Sequence, residues 1–263
     1  MSETTPLFTM LHVSDVHATE SGQLYGSIDP IARLEQLGEY VAEQGINPEV
    51  VVITGDLIQR GNAGAYPAVE QACRRLERAL NAPVITVLGN HDDPHAAKQL
   101  TGHTTRHFGT HTVGDYRIVR LDSHTRELGP EQLEWLCRTL ARPYGLGTIL
   151  AIHHAPIGSP MPVLSKQGLA DAAELMRAVD GSDVRAILAG HFHHSLNASL
   201  EGIPTFVAPA LAYHQVMHAG PDQVAGHDAF WCSLVQLSES NVVSTPIELR
   251  PGAPVFTQQV TGS

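Results

Sequence analysis

The sequence predicts an α/β protein with its chemistry gathered along one edge of a sheet, and two observations predict it. Apolar runs of strand length alternate with stretches whose apolar residues recur at helical spacing. Five of those runs, HVSDVH, VVITGD, VITVLGNHD, ILAIHH and AILAGHFH, stop at a residue of metal-ligand type. In α/β sheets functional groups collect outside the strand ends, so Asp15, His17, Asp56, Asn90, His91, His153, His191 and His193 are expected to meet.

Residues 7–14 read as the first strand, and 28–44 as a helix in which Ile31, Leu34, Leu37 and Val41 share a face and Pro30 suits the first turn. The branched run 50–54 is a buried strand, 64–81 a helix, 84–88 a strand, and 92–100 a short helix that Asp92 or Asp93 can cap. Residues 113–121 form a strand region, and 130–140 an amphipathic helix with Leu133, Leu136 and Leu140 on one side. A strand at 148–152, a loop at 158–166, a helix at 169–179 and a strand at 184–189 follow. Short strands at 204–208, 230–237 and 244–249 suggest a second sheet packed on the first.

At 263 residues, the chain is expected to form one domain over 1–263, with a β-rich C-terminal part from about residue 200. A net charge of -11 argues against a general nucleic-acid binder. Residues 1–10 lack a leader-like pattern, and no apolar run approaches the ~20 residues a membrane span needs, so no membrane association and a cytoplasmic location are expected. Three scattered cysteines suit a reducing compartment, with Cys73 and Cys137 expected in the core of their helices.

The polar residues themselves indicate a two-metal hydrolase. Asp15 and His17, one residue apart, can turn to one metal where a strand end bends, and Asp56 has two oxygens with which to bridge a pair of cations. Asn90 adds a neutral oxygen. His153, His191 and His193 make the donor set mixed, which favours Mn2+, Fe2+/Fe3+, Zn2+ or Co2+ over Ca2+. Gly55, Gly89 and Gly190 each precede a ligand-type residue, where a Cβ would hinder the turn. Two transition-metal ions about 4 Å apart can clamp a phosphoryl group and lower the pKa of a bridging water. His91 is placed to contact a phosphate oxygen or protonate a departing alkoxide, and Asp92 to hold its ring, to cap the next helix, or both. His12, His103, His107, His111 and His227 are expected at the surface or in local hydrogen bonds. No nucleophile elbow competes, so direct hydrolysis is favoured over a covalent intermediate. The loop 158–166 and the segment 213–218 are expected to wall the substrate cleft.

Asp-x-His, Gly-Asp, Gly-Asn-His-Asp, His and Gly-His-x-His occur here in order from Asp15 to His193. This series resembles the calcineurin-like metallophosphoesterase superfamily. The resemblance implies the metallophosphoesterase fold, a four-layer α/β/β/α sandwich, with one metal on Asp15, His17, Asp56 and His193 and the other on Asp56, Asn90, His153 and His191. It implies a catalytic, non-ligand role for His91. The segments LYGSIDPIARL, DVRAILAGHFHHSLNASLEGIPTFVA and His-His-Ala-Pro are similar to bacterial class III cyclic nucleotide phosphodiesterases of actinobacterial type. That subgroup implies a homodimer that opens 3',5'-cyclic AMP or GMP to the 5'-monophosphate; a glycerophosphodiesterase or a broad-specificity phosphodiesterase is the alternative. His194 stands where the subgroup often has an aromatic residue, and the stretch 122–131 is short.

Overall fold

The structure is a computed structural model that describes residues 7–250 and 253–258. Met1–Pro6, most of the segment in which no leader is expected, lie outside the described residues. In chain order, β1 (Phe8–Val13), α1 (Pro30–Glu43), β2 (Val50–Thr54), α2 (Tyr66–Leu80) and β3 (Val84–Val87) come first. Next are β4 (Gly109–Val113), β5 (Tyr116–Arg120), α3 (Gly129–Leu140), β6 (Gly147–Ala151), α4 (Ala172–Val179) and β7 (Val184–Ala189). The remaining strands are β8 (Leu196–Leu200), β9 (Ile203–Val207), β10 (His214–Gln215), β11 (Gly226–His227), β12 (Trp231–Leu237) and β13 (Val242–Glu248).

Two sheets carry the fold, ordered β13-β12-β1-β2-β3 and β4-β5-β6-β7-β9-β8. Because side chains alternate along a strand, β2 sends Val51 and Ile53 toward α1 and α2 and turns Val50 and Val52 to the other face. There they meet Met10, Ile85 and Val87 of their own sheet and Ile118, Ile149 and Leu188 of the second. Helices α3 and α4 cover the outer face of the second sheet through Leu136, Leu140, Leu175 and Val179. The result is the expected four-layer order: helices, sheet, sheet, helices. All five residues of β2 are buried, which is why strands covered on both faces read as unbroken apolar runs.

Three expectations need correction. Of the three C-terminal strands expected in the second sheet only the first, β9, belongs to it: β12 pairs antiparallel with β1, from Phe8↔Leu237 to His12↔Ser233, and with β13 extends the first sheet. The second sheet is built from β4 to β9. The region 113–121 is a hairpin in which Val113 pairs with Tyr116, and its first arm, β4, began earlier. Cys137 is exposed, whereas Cys73 and Cys232 are buried. Helix α3 buries Gln132, Leu136 and Leu140, and Cys137, about 100° further round than Leu136, faces water.

Helix α1 starts at Pro30 because Asp29 caps it, accepting the Ala32 amide at 3.0 Å. Residues 92–100 contain only a short 3-10 helix, Ala96–Gln99. Asp93 is the capping residue there, its Oδ1 accepting the amides of His95 and Ala96 at 2.9 and 3.0 Å.

Candidate metal centre

Strands β1, β2 and β3 run parallel, as do β5, β6 and β7, so the chain leaves each group at one end. The residues expected to act together are found just past those ends. Asp15 and His17 follow β1, Asp56 follows β2, Asn90 and His91 follow β3, His153 follows β6, and His191 and His193 follow β7. Backbone hydrogen bonds stitch these loops together: the amides of Asp15 and His17 donate to the carbonyls of Gly55 and Asp56 at 3.0 and 2.8 Å. The Gly190 amide donates to the His153 carbonyl at 3.0 Å, joining the two loops of the second sheet.

Five of the nine non-glycine residues with positive φ among the described residues belong to this set: Asp15 (56°), His17 (53°), Asp56 (49°), His191 (78°) and His193 (54°). Left-handed backbone is sterically costly for such residues and concentrates at functional sites. The glycines beside them permit close approach. A Cβ on Gly55 would lie 2.4 Å from His153 Nδ1, one on Gly89 2.3 Å from Asp56 Oδ1, and one on Gly190 1.7 Å from Ser14 Oγ.

Each of three imidazoles gives one nitrogen to a fixed oxygen. Nδ1 of His17 lies 2.9 Å from Gln59 Oε1, that of His193 3.0 Å from the Tyr213 carbonyl, and that of His153 2.7 Å from the Thr54 carbonyl. Those oxygens only accept, so each Nδ1 carries a proton and each Nε2 faces inward. Nε2 of His17 and His193 are 3.1 Å apart, and Asp15 Oδ1 lies 3.9 and 3.3 Å from them; burial would lower His193, but the facing Asp15 raises it above the ordinary imidazole value. Asp15 Oδ1 is buried and has no hydrogen-bond partner. His153 Nε2 faces Asn90 Oδ1 at 3.2 Å and Asp56 Oδ1 at 3.5 Å, another convergence of acceptors. Asp56 turns its second oxygen the other way, 3.6 Å from His17 Nε2. Buried imidazole nitrogens and carboxylate oxygens brought within 4.8 Å of one another are a donor set that fits metal ions.

Four groups that could hold an ion share members in a chain: Asp15, His17 and His193; His17, Asp56 and His91; Asp15, Asp56 and His153; His153, His154 and His191. Burial alone would raise the Asp15 carboxyl, but the facing His193, with His153 and His17 beyond, holds it well below the ordinary carboxylate value. Asp56 is likewise lowered, His153 and His17 outweighing its burial. Burial holds His17 down to about 4 and His191 down to about 3, so both offer lone pairs at neutral pH.

His91 points Nε2 toward the centre, 4.0 Å from Asp56 Oδ2. Its Nδ1 lies 3.2 Å from Gln59 Oε1 and 3.4 Å from the Arg60 amide, so either ring tautomer has a partner. Asp92 does not hold this ring. Its oxygens accept the amides of Gly89, Leu57 and Ile58 at 2.8, 3.1 and 3.3 Å and the Tyr66 hydroxyl at 3.0 Å. The turn closed by the Asp92 amide on the Gly89 carbonyl carries Asp92 beneath the loop, where burial and the charge of Asp56 push it up to about 7. It ties the loops after β2 and β3 together.

Sequence reasoning missed Gln59 and His154. Gln59 Oε1 lies 2.9 Å from His17 Nδ1 and 3.2 Å from His91 Nδ1, and only its place three residues after Asp56 marked it. His154 packs its ring 4.4 Å from that of His191, with Nδ1 3.2 Å from Ser123 Oγ; the doubled histidine was the signal. Of the other histidines, His12 and His103 are buried and hydrogen-bonded to Thr54 and Thr86. In the loop 158–166, Ser159 Oγ lies 2.8 Å from His194 Nε2, while Tyr213 packs its ring 4.1 Å from that of His193.

Gln59→Ala is expected to weaken metal affinity by about 10–100-fold, the usual cost of losing the group that orients a ligand histidine. Competition against a chelator measures it, and unchanged affinity would remove Gln59 from this role.

The profile of the calcineurin-like phosphoesterase family matches residues 8–195, a span from β1 to just past His193. The chain belongs to the calcineurin-like phosphoesterase family. The phosphoesterase is 36% identical to a cAMP/cGMP dual specificity phosphodiesterase of Mycobacterium tuberculosis, over 96% of this chain and 83% of the relative. It is 33% identical to a probable cyclic nucleotide phosphodiesterase of Rhodococcus erythropolis, over 93% of this chain and 84% of the relative. In fold it is similar to a purple acid phosphatase from yellow lupin, with TM-score 0.66 and 14% identity, covering 94% of this chain and 52% of that one. A dimetal phosphatase from Danio rerio gives TM-score 0.60 and 13% identity, covering 91% and 98%. The family uses a dinuclear metal site, and the phosphoesterase has the His and Asp groups to hold one. Among the described residues no helix is long and apolar enough to cross a membrane.

Proposed function

We propose that the protein hydrolyses 3',5'-cyclic AMP and GMP to the 5'-monophosphates at a dinuclear metal centre. The observation that carries the dinuclear reading is the convergence of inward-facing Nε2 atoms on the unpartnered oxygen of Asp15, with Asp56 turning one oxygen to each side. The substrate reading draws on the cyclic nucleotide relatives. Asp15, His17, Asp56 and His193 take one ion, and Asp56, Asn90, His153 and His191 the other. The mixed nitrogen and oxygen set suits Mn2+ or Fe2+/Fe3+, with Zn2+ and Co2+ also compatible. When bound, such a pair polarises the phosphoryl group and supplies water as a nucleophile at neutral pH.

The chain's own groups do the rest. Water adds to phosphorus, the P–O3' bond breaks, and His91 Nε2 gives a proton to the departing O3' or binds a phosphate oxygen as charge builds. The Arg60 amide, donating to Nδ1, keeps that ring aimed at the centre with its proton on Nε2. Asp92 acts at a distance by fixing the loops that carry Asp56 and His91. The protein acts as a cytoplasmic homodimer; the reduced cysteines suit that compartment.

The test compares kcat/KM, with Mn2+ loaded, for cyclic AMP, cyclic GMP, 2',3'-cyclic nucleotides, bis-p-nitrophenyl phosphate and glycerophosphodiesters. The 3',5'-cyclic nucleotides are expected to lead the natural substrates and to give 5'-monophosphates. Preference for a glycerophosphodiester would replace this reading with the glycerophosphodiesterase one.

A further inference from the structure

Beside the metal centre lies a cavity of about 400 Å³ whose lining includes Tyr25, Ser27, Tyr213, Gly226, His227 and Asp228. We propose that this cavity seats a planar heteroaromatic base, stacked on Tyr25, while the phosphate of the same ligand lies over the metal centre. The inference rests on the phosphodiesterase reading above and names the part of the substrate that reading leaves unplaced.

Continuity with the centre comes from Tyr213. Its ring is 4.1 Å from that of His193 and 5.9 Å from that of His17 on one side, and 5.5 Å from that of Tyr25, edge to face, on the other. Its carbonyl holds the His193 ring in place. One residue therefore forms both the end of the metal centre and the wall of the cavity. A volume of about 400 Å³ falls within the usual range for small-molecule pockets.

Tyr25 is the feature that calls for a ligand. The residue is 68% exposed, although it is large and aromatic, and its φ of 51° is left-handed. It is not a loose side chain on a loose loop. Leu24 and Ile28 exchange two backbone hydrogen bonds, 2.8 and 3.0 Å, closing the loop that carries Tyr25, and both are buried against Ala212. The fold thus spends buried anchors and a strained backbone to present one aromatic ring to water, which is preorganisation for a stacking partner. Val224, 57% exposed, lines the same cavity.

The opposite wall is built to the same end. β10 and β11 pair through His214↔His227 and Gln215↔Gly226. A Cβ on Gly226 would lie 2.4 Å from Tyr213 Cδ2, so glycine lets this ribbon close on the ring. Asp228 is anchored by the buried guanidinium of Arg33, and Ser27 and His227 add polar atoms at the rim. Aromatic faces with a few fixed polar groups suit a nucleobase, whereas a glycerol or methyl ester has no π face to offer.

The test uses metal-loaded full-length protein and two ligands that differ only by the base, adenosine 5'-monophosphate and ribose 5-phosphate, titrated calorimetrically. The parent is expected to prefer the nucleotide by about 10-fold or more, the scale of one base stacked on an aromatic side chain. Tyr25→Ala should bring the two within about threefold without changing ribose 5-phosphate binding, and Tyr25→Phe should keep the preference because stacking needs the ring alone. Tyr25→Trp should show emission quenched by the nucleotide and not by ribose 5-phosphate. An unchanged preference in Tyr25→Ala, or no base-dependent quenching in Tyr25→Trp, overturns the proposal. The two readings fail separately. A protein that opens cyclic AMP with a preference indifferent to Tyr25 loses the base pocket, whereas Tyr25-dependent nucleotide binding without cyclic AMP hydrolysis loses the substrate assignment and keeps the pocket.

Discussion

Asp56→Ala is expected to abolish turnover and to lose both ions together. Asp56 Oδ1 faces His153 Nε2 at 3.5 Å and Oδ2 faces His17 Nε2 at 3.6 Å, so on the proposed reading one carboxylate would serve both halves of the centre. Removing it leaves two cations to repel each other across a buried site that has lost a negative charge. A metal pair supplies several kcal/mol of transition-state stabilisation, so activity should fall by at least about 10³-fold. The loss should appear in metal content as well as in rate, with a flatter binding isotherm for Mn2+. A variant that kept one tightly held ion and lost only the other would show that Asp56 belongs to a single site.

His91→Ala is expected to do the opposite with the metals. The ring lies beyond the converging nitrogens, with Nε2 4.0 Å from Asp56 Oδ2 and Nδ1 turned back to Gln59 and Arg60. Metal content should therefore stay near that of the parent, while kcat falls by about 10²–10⁴-fold, the usual worth of a positioned acid or base. The loss should be smaller for p-nitrophenyl esters, whose leaving group needs little protonation. Equal loss on good and poor leaving groups would assign His91 to stabilising charge on the phosphate instead.

The ligand-type residues were legible because the chain exposes them abruptly. A strand buried on both faces must be apolar to its end, so Asp56 after Val-Val-Val-Ile-Thr-Gly, or Asn90 after Val-Ile-Thr-Val-Leu-Gly, has no place to go but the edge of the sheet. The same contrast marked β2, β6 and β7. It fails at sheet margins. In β8, Leu196 to Leu200 alternate between half-buried and exposed, and β4 alternates likewise after a buried Gly109, so their polar residues read as loop. The placement of β12 beside β1 is a matter of long-range pairing that no local pattern encodes. Asp92 and Gln59 illustrate the same limit within the site. Both are polar residues near ligands, and only the turn from Gly89 to Asp92 decides that Asp92 goes under the loop while Gln59 reaches His91. Tyr25 was visible as part of LYGSIDPIARL, but its exposure follows from the loop closed between Leu24 and Ile28, a tertiary fact.

In the proposed centre, one shared carboxylate and the inward-facing histidine nitrogens hold two ions. Elemental analysis of the protein after reconstitution with Mn2+ and removal of excess metal tests it most directly. Two ions per chain are expected, with phosphodiesterase activity rising as the second is added. One ion per chain at full activity, or activity unaffected by complete removal of metal, would contradict it.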